Sequence, residues 1–211
     1  MREGRFRRQW ALSLAAALVG WSFVSPRLPG AWRDLLQAGV GGLLVLVTRA
    51  PLGLCPPRLW AGLRLGSAAG VVAATAIAAT TPVPPVRRSM TVRELPASVP
   101  SWLALRIPVG TVWAEEAAFR AALATAGSGA FGKSGGRFLQ AAAFGLSHIA
   151  DARATGEPVV ATVLATGIGG WVFGWLADRC GSLAAPMLVH LAINEAGAIA
   201  ALAVQRRSDI R

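Results

Sequence analysis

The chain has 211 residues, 54% hydrophobic and only 15% charged, where soluble domains carry about a quarter charged residues. With a mean hydropathy of +0.52, this excludes an ordinary water-soluble globule and leaves room for one membrane domain of several spans, each needing roughly 20 apolar residues. The net charge of +11 does not imply nucleic acid, because no recognition motif accompanies it and the cations flank apolar stretches, where they set topology and meet anionic headgroups.

Seven apolar stretches follow in chain order, about 10–24, 34–48, 59–80, 99–113, 137–150, 158–177 and 183–204. The first follows the basic segment 1–8 (Arg2, Arg5, Arg7, Arg8) as in a signal peptide. No small-residue cleavage site precedes Pro26, so a retained first helix is expected. The fourth stretch can run on through 125 and so bury the charges at 115–120 inside one long helix. The fifth is short enough to tilt or to enter only part way. Pro-, Gly- and Arg-rich breaks at Ser25–Gly30, Ala50–Pro57, Thr81–Pro85 and Gly127–Gly136 read as helix terminators. No stretch alternates with the period of two that a transmembrane strand needs.

The expected fold is therefore all-α, a polytopic transmembrane bundle of about 6–8 helices. Residues 1–95 supply N-terminal transmembrane helices without a diagnostic motif, 96–205 the part that bears the motifs below, and 206–211 a basic tail with Arg206, Arg207 and Arg211. A cytoplasmic N-terminus and a cytoplasmic 49–64 gap (Arg49, Arg58, Arg64) fit a hairpin of the first two stretches. Arg87, Arg88 and the basic tail then fall outside. Gly66–Gly70 and Gly170–Gly174 have GxxxG spacing, suited to close helix approach, while Trp171 and Trp175 suit either that contact or an interfacial belt. Cys55 and Cys180 lack CxxC spacing and imply neither a zinc knuckle nor a redox pair.

Polar residues within the apolar stretches carry the functional signal, because a charge near the bilayer centre costs about 3 kcal/mol or more and persists where it has a partner or a protected cavity. Glu116 and Arg120 are i, i+4 neighbours with ion-pair spacing. Glu115 lies about 100° round the helix from Glu116, so Arg120 neutralises one carboxylate and leaves the other free to act as a base. The only two histidines, His148 and His190, both fall on apolar helices, and His190 shares a face with Asn194. Each feature alone also suits a structural role: solvated charges at a helix end, or a hydrogen-bonded core histidine.

Together they suit two chemistries. In one, Glu115 and His148 deprotonate a water while His190 and Asn194 donate to an oxyanion. In the other, Glu115, His148 and His190 ligate zinc with an open position for water, although HExxH is absent. Ser147 is adjacent to His148 without a GxSxG frame and reads as structural. A proton-relay transporter would use the same groups.

Three ordered motifs, Glu115-Glu116-x-x-x-Arg120, Phe144-x-x-x-His148 and His190-x-x-x-Asn194, with the Gly181-Ser182-Leu183 to Pro186 lead-in, resemble the CPBP family of intramembrane proteases, which includes type II CAAX prenyl proteases and Abi-type proteins. The resemblance covers about 95–205. It implies an intramembrane endopeptidase in which Glu115 and His148 activate water, His190 and Asn194 form the oxyanion hole, and Glu116, Arg120 and Phe144 support them. Both metallo- and glutamate-dependent mechanisms are described for the family. Asn194 suits an oxyanion donor better than a zinc ligand, so no cofactor is favoured, with zinc as the alternative. The implied partner is a membrane-tethered peptide or protein in an integral, bacterial inner-membrane setting. The Ala-, Gly- and Arg-rich composition shifts the expected task from CAAX processing to peptide maturation, bacteriocin immunity or membrane-protein turnover. A non-catalytic immunity protein is the further alternative. Glu195, beside Asn194, departs from the pattern and adds a carboxylate there.

Overall fold

A computed structural model describes residues 2–209; Met1 and Arg211, at the ends of the basic segments, lie outside them. Nine helices account for nearly all of it. Helix α1 is Arg2–Val24 and α2 Gly30–Thr48, joined by a tight turn, Ser25–Arg27, that holds Pro26. Helix α3 is Arg58–Thr80 and α4 Pro84–Thr91. Helix α5 is one tract over 99–123, and α6, Ala124–Ser147, continues it. Helix α7 is Ile149–Thr155, α8 Val159–Cys180 and α9 Ala184–Asp209. No strand occurs among the described residues. By length and composition α3, α8 and α9 can each cross a membrane. The protein is an all-α integral membrane bundle.

Helix α9 is central. Gly62, Gly66 and Gly70 make one face of α3 nearly flat, and α9 lies against it in parallel: a Cβ at Gly66 would stand 2.8 Å from the Ala185 backbone. Antiparallel α8 meets α6 through the second glycine pair, Gly170 beneath Phe144 and Gly174 beneath Gln140. Close approach of this kind replaces the hydrophobic drive that lipid cannot supply between helices. Trp171 and Trp175 remain about half exposed on the outer face of α8; the glycines make the close backbone contact, and Trp171 meets α6 only through the Arg137 guanidinium, 5.4 Å from its ring centroid. Helix α2 runs parallel to α5, with the Trp113 indole donating to the Ala38 carbonyl at 3.1 Å.

The expected break at Gly127–Gly136 falls at Gly132, where φ of 74° and ψ of 171° leave the helical region and turn the chain back on itself, so that Gly136 packs against Gly127. Glycine alone tolerates that conformation without strain. Helices α4 and α7 lie in segments too polar to register as apolar stretches. The expected run of the fourth stretch through 125 is present, and its winding is unusual. Over Trp102–Trp113 and Glu116–Leu123 the hydrogen bonds reach i→i+5, as from the Ala114 N–H to Val109 O and from Ala124 N–H to Phe119 O. Pro108 lies inside the first of these turns.

Candidate active site

An open cavity of about 1270 Å³ cuts into the bundle, and Glu115, Phe144, His148, His190 and Asn194 all line it. They arrive from α5, the end of α6 and the middle of α9. Glu116 and Arg120 lie behind this wall, with side chains fully buried.

Helix winding puts Glu115 where it is. Nine residues at about 100° each would set Arg106 and Glu115 on opposite faces of an α-helix. Both line the same cavity, because i→i+5 winding turns less per residue. Glu116 points into the bundle, its Oε2 3.3 Å from Arg120 Nε, which is the ion pair expected from the spacing. The guanidinium carbon lies 3.7 Å from the Phe144 ring centroid and 5.0 Å from that of Phe173. Two π faces thus flank a cation whose Nη nitrogens have no hydrogen-bond partner, and in a dry site each such contact is worth about 2 kcal/mol.

His190 joins the buried pair to the cavity. Its Nδ1–H donates to Glu116 Oε1 at 2.8 Å, and its Nε2 lies 3.7 Å from Glu115 Oε2. The Glu116 bond fixes the tautomer and the ring plane, and Phe173 packs over the ring with centroids 5.2 Å apart. Asn194 donates one amide hydrogen to His190 O at 3.0 Å and retains a second donor.

His148 stands at the end of α6, where φ of −88° and ψ of 0° close the helix. Its Nδ1–H donates to Phe144 O at 2.7 Å, so in the neutral ring Nε2 holds the free lone pair. Phe144 packs edge-on against it at 4.7 Å. His148 makes no direct bond to Glu115; the two share the cavity. Ser147 Oγ donates to Phe144 O at 2.8 Å and also comes within 3.4 Å of His148 Nδ1. These adjacent residues do touch, at a helix end, but the serine hydroxyl is committed to the backbone.

Three findings go beyond or against the sequence reading. Among the described residues Glu195 has no hydrogen-bond or ion-pair partner, and it is not part of the cavity lining, so it adds no carboxylate to the site. Among the described residues no three His, Cys, Asp or Glu groups gather as a metal-binding set. Phe173, which contacts both His190 and Arg120, escaped the sequence because one aromatic on an apolar helix resembles any other. Its place between Gly170 and Gly174 was the available signal.

Comparison with curated proteins and with solved structures gives no match. The family described as type II CAAX prenyl endopeptidase, Rce1-like, matches residues 97–196. That segment begins just before α5, ends just after Asn194 and contains Glu115, Phe144, His148, His190 and Asn194. Residues 97–196, just under half of the chain, are thus similar to the Rce1-like family of CAAX proteases, over the stretch that holds the three motifs.

Proposed function

We propose that the cavity is the active site of an intramembrane endopeptidase that hydrolyses a peptide bond in a membrane-tethered peptide or protein, without requiring metal. The observation that carries this reading is the asymmetry of the two carboxylates. Glu116 is consumed by Arg120 and His190, whereas Glu115, next to it in sequence, faces the cavity and keeps Oε2 without a hydrogen-bond partner.

Glu115 and the free Nε2 of His148 take a proton from water, and the resulting hydroxide adds to the scissile carbonyl carbon. The carbonyl oxygen becomes an oxyanion. Asn194 offers its second amide hydrogen to it, and His190 offers Nε2–H. With Nδ1–H already given to Glu116, His190 donates at Nε2 only as the imidazolium, whose charge the flanking carboxylates offset. As the tetrahedral species collapses, the proton taken from water passes to the departing amide nitrogen. Glu116 and Arg120 hold His190 in register from behind.

The test is cleavage of a lipid-anchored peptide by purified protein in detergent. Glu115→Gln and His148→Ala are expected to lower kcat by about 10²–10⁴-fold each. Asn194→Ala is expected to lower it by about 10²–10³-fold, and a chelator should leave the wild type unaffected. Full activity of Glu115→Gln would rule out the reading.

A further inference from the structure

One acid on α9 belongs neither to the cavity nor to an ion pair. Glu195 stands at the midpoint of the Ala184–Arg207 span, about 17 Å from either end at 1.5 Å per residue, too deep for its short side chain to reach the headgroups. A carboxylate at that depth persists where it meets a partner or a protected cavity. Among the described residues no cation or donor reaches it, and it is absent from the cavity lining.

Its direction follows from the neighbours three residues away on either side. Ala192 packs on α3, its Cβ 3.3 Å from where a Cβ at Gly70 would lie, and Ala198 is buried in the cluster that holds Ile107 and Val112 of α5. Steps of three residues back and three residues forward land about 60° to the two sides of the starting residue. Glu195 therefore projects into the seam between α3 and α5. His190, five residues back on the cavity side, lies about 140° round the helix. Glu195 is partly exposed in this seam. Ala192, Ala196 and Ala198 beside it are too small to cover a carboxylate, and Ile199, one turn on, is 56% exposed. Lipid tails bring no hydrogen-bond donor to such a group.

We infer that this seam receives the transmembrane helix of a partner protein that carries a lysine or arginine near its middle. Charge complementarity selects that partner over a second copy of the chain. A two-fold axis along the membrane normal brings like residues together at like depth, so a second copy sets Glu195 against Glu195. The exposed cation of α3, Arg64, does not reach this depth. Helices α3 and α9 run in parallel with Gly62 beside Ala184, which places Arg64 about 15 Å from Glu195 along the axis. Arg106 pairs with Asp34 and faces the cavity. The ion pair also fixes the register of the docked helix, because a slip of one turn moves its cation about 5.4 Å. The seam lies on the far side of α9 from His190, so a docked partner leaves the cavity free, and the inference does not depend on hydrolysis.

The experiment places the full chain, carrying a donor dye, in phosphatidylcholine liposomes and measures energy transfer to synthetic transmembrane helices of about 20 leucine and alanine residues. One helix has lysine at its centre, one has leucine there, and one has its lysine one turn from the end. The centred lysine helix is expected to associate about tenfold or more tightly than the other two, as bonds to charged groups allow. Glu195→Leu should bring it down to the level of the leucine helix, and Glu195→Gln should retain part of the preference. Equal association of the three helices with the wild type overturns the proposal without recourse to a variant. So does an advantage that survives in Glu195→Leu, or one that Glu115→Gln abolishes and Glu195→Leu does not, which would place the lysine in the cavity. Energy transfer between differently labelled copies that Glu195→Leu abolishes, with no preference for lysine, assigns the carboxylate to a second copy and equally overturns it.

Discussion

The two faces of α9 are held by different physics. Against α3 it is dry and steric: Gly62, Gly66 and Gly70 let Ala185, Leu188 and Ala192 approach almost to the backbone. Against α5 it is polar, with His190 spanning Glu115 and Glu116 and with Arg120 behind. The first face depends on volume and resists an added atom wherever backbone lies directly opposite. The second depends on charge balance and tolerates no missing partner. One helix can therefore be anchored by its glycine-lined side while its other side carries groups that lipid alone would reject, and this separation lets the site residues serve chemistry instead of cohesion.

The contrast is sharpest at Arg120. Arg120→Met keeps much of the volume between Phe144 and Phe173 but leaves Glu116 without its cation, and removal of one partner of a buried pair costs about 3–5 kcal/mol. The largest fall in thermal stability in detergent is expected here, and the double variant Arg120→Met with Glu116→Gln should regain much of it. No recovery would mean that the polar face is held by packing. Next comes Gly66→Ala. Its Cβ would meet Ala185 Cα and O at 2.8 Å, and backbone cannot step aside as a side chain can, so a loss of about 1–3 kcal/mol is expected from overpacking. The smallest effect belongs to Gly70→Ala, one turn along the same stripe. The nearest atoms are Ala192 Cβ at 3.3 Å and Leu188 O at 3.4 Å, a misfit of a few tenths of an ångström. The helix preference for Ala over Gly, about 1 kcal/mol, offsets it, and near-neutral stability is expected. Equal loss at Gly66 and Gly70 would show that the stripe works as a unit and not by local distance.

The sequence was most readable where one physical rule dominated. Apolar length located the cores of the long helices, but not the charged and exposed first two turns of α1, which hydropathy does not register. The Glu116–Arg120 pair followed from i, i+4 spacing, and the glycine stripes from GxxxG. The tie between His190 and Glu116 joins residues 74 positions apart, and only the packing of α9 on α5 creates it. Local spacing suggested that His190 works with Asn194. In the folded chain the amide of Asn194 turns one hydrogen back to its own helix, and the partner of the imidazole is a carboxylate on α5. Asp34 drew no notice as the acid that begins an apolar stretch, because its partner Arg106 reaches it from another helix.

Pro108 gives the loose coil of α5 a built-in ratchet. The ring supplies no N–H, and in the tighter α-helical form it would collide with the carbonyl four residues back, so the tract cannot simply wind down to the commoner pitch. Putting Ala there would lift that block. Every residue gained in tightening would swivel Arg106 about the helix axis and away from the side that holds Glu115, so a change that touches neither group would part the two.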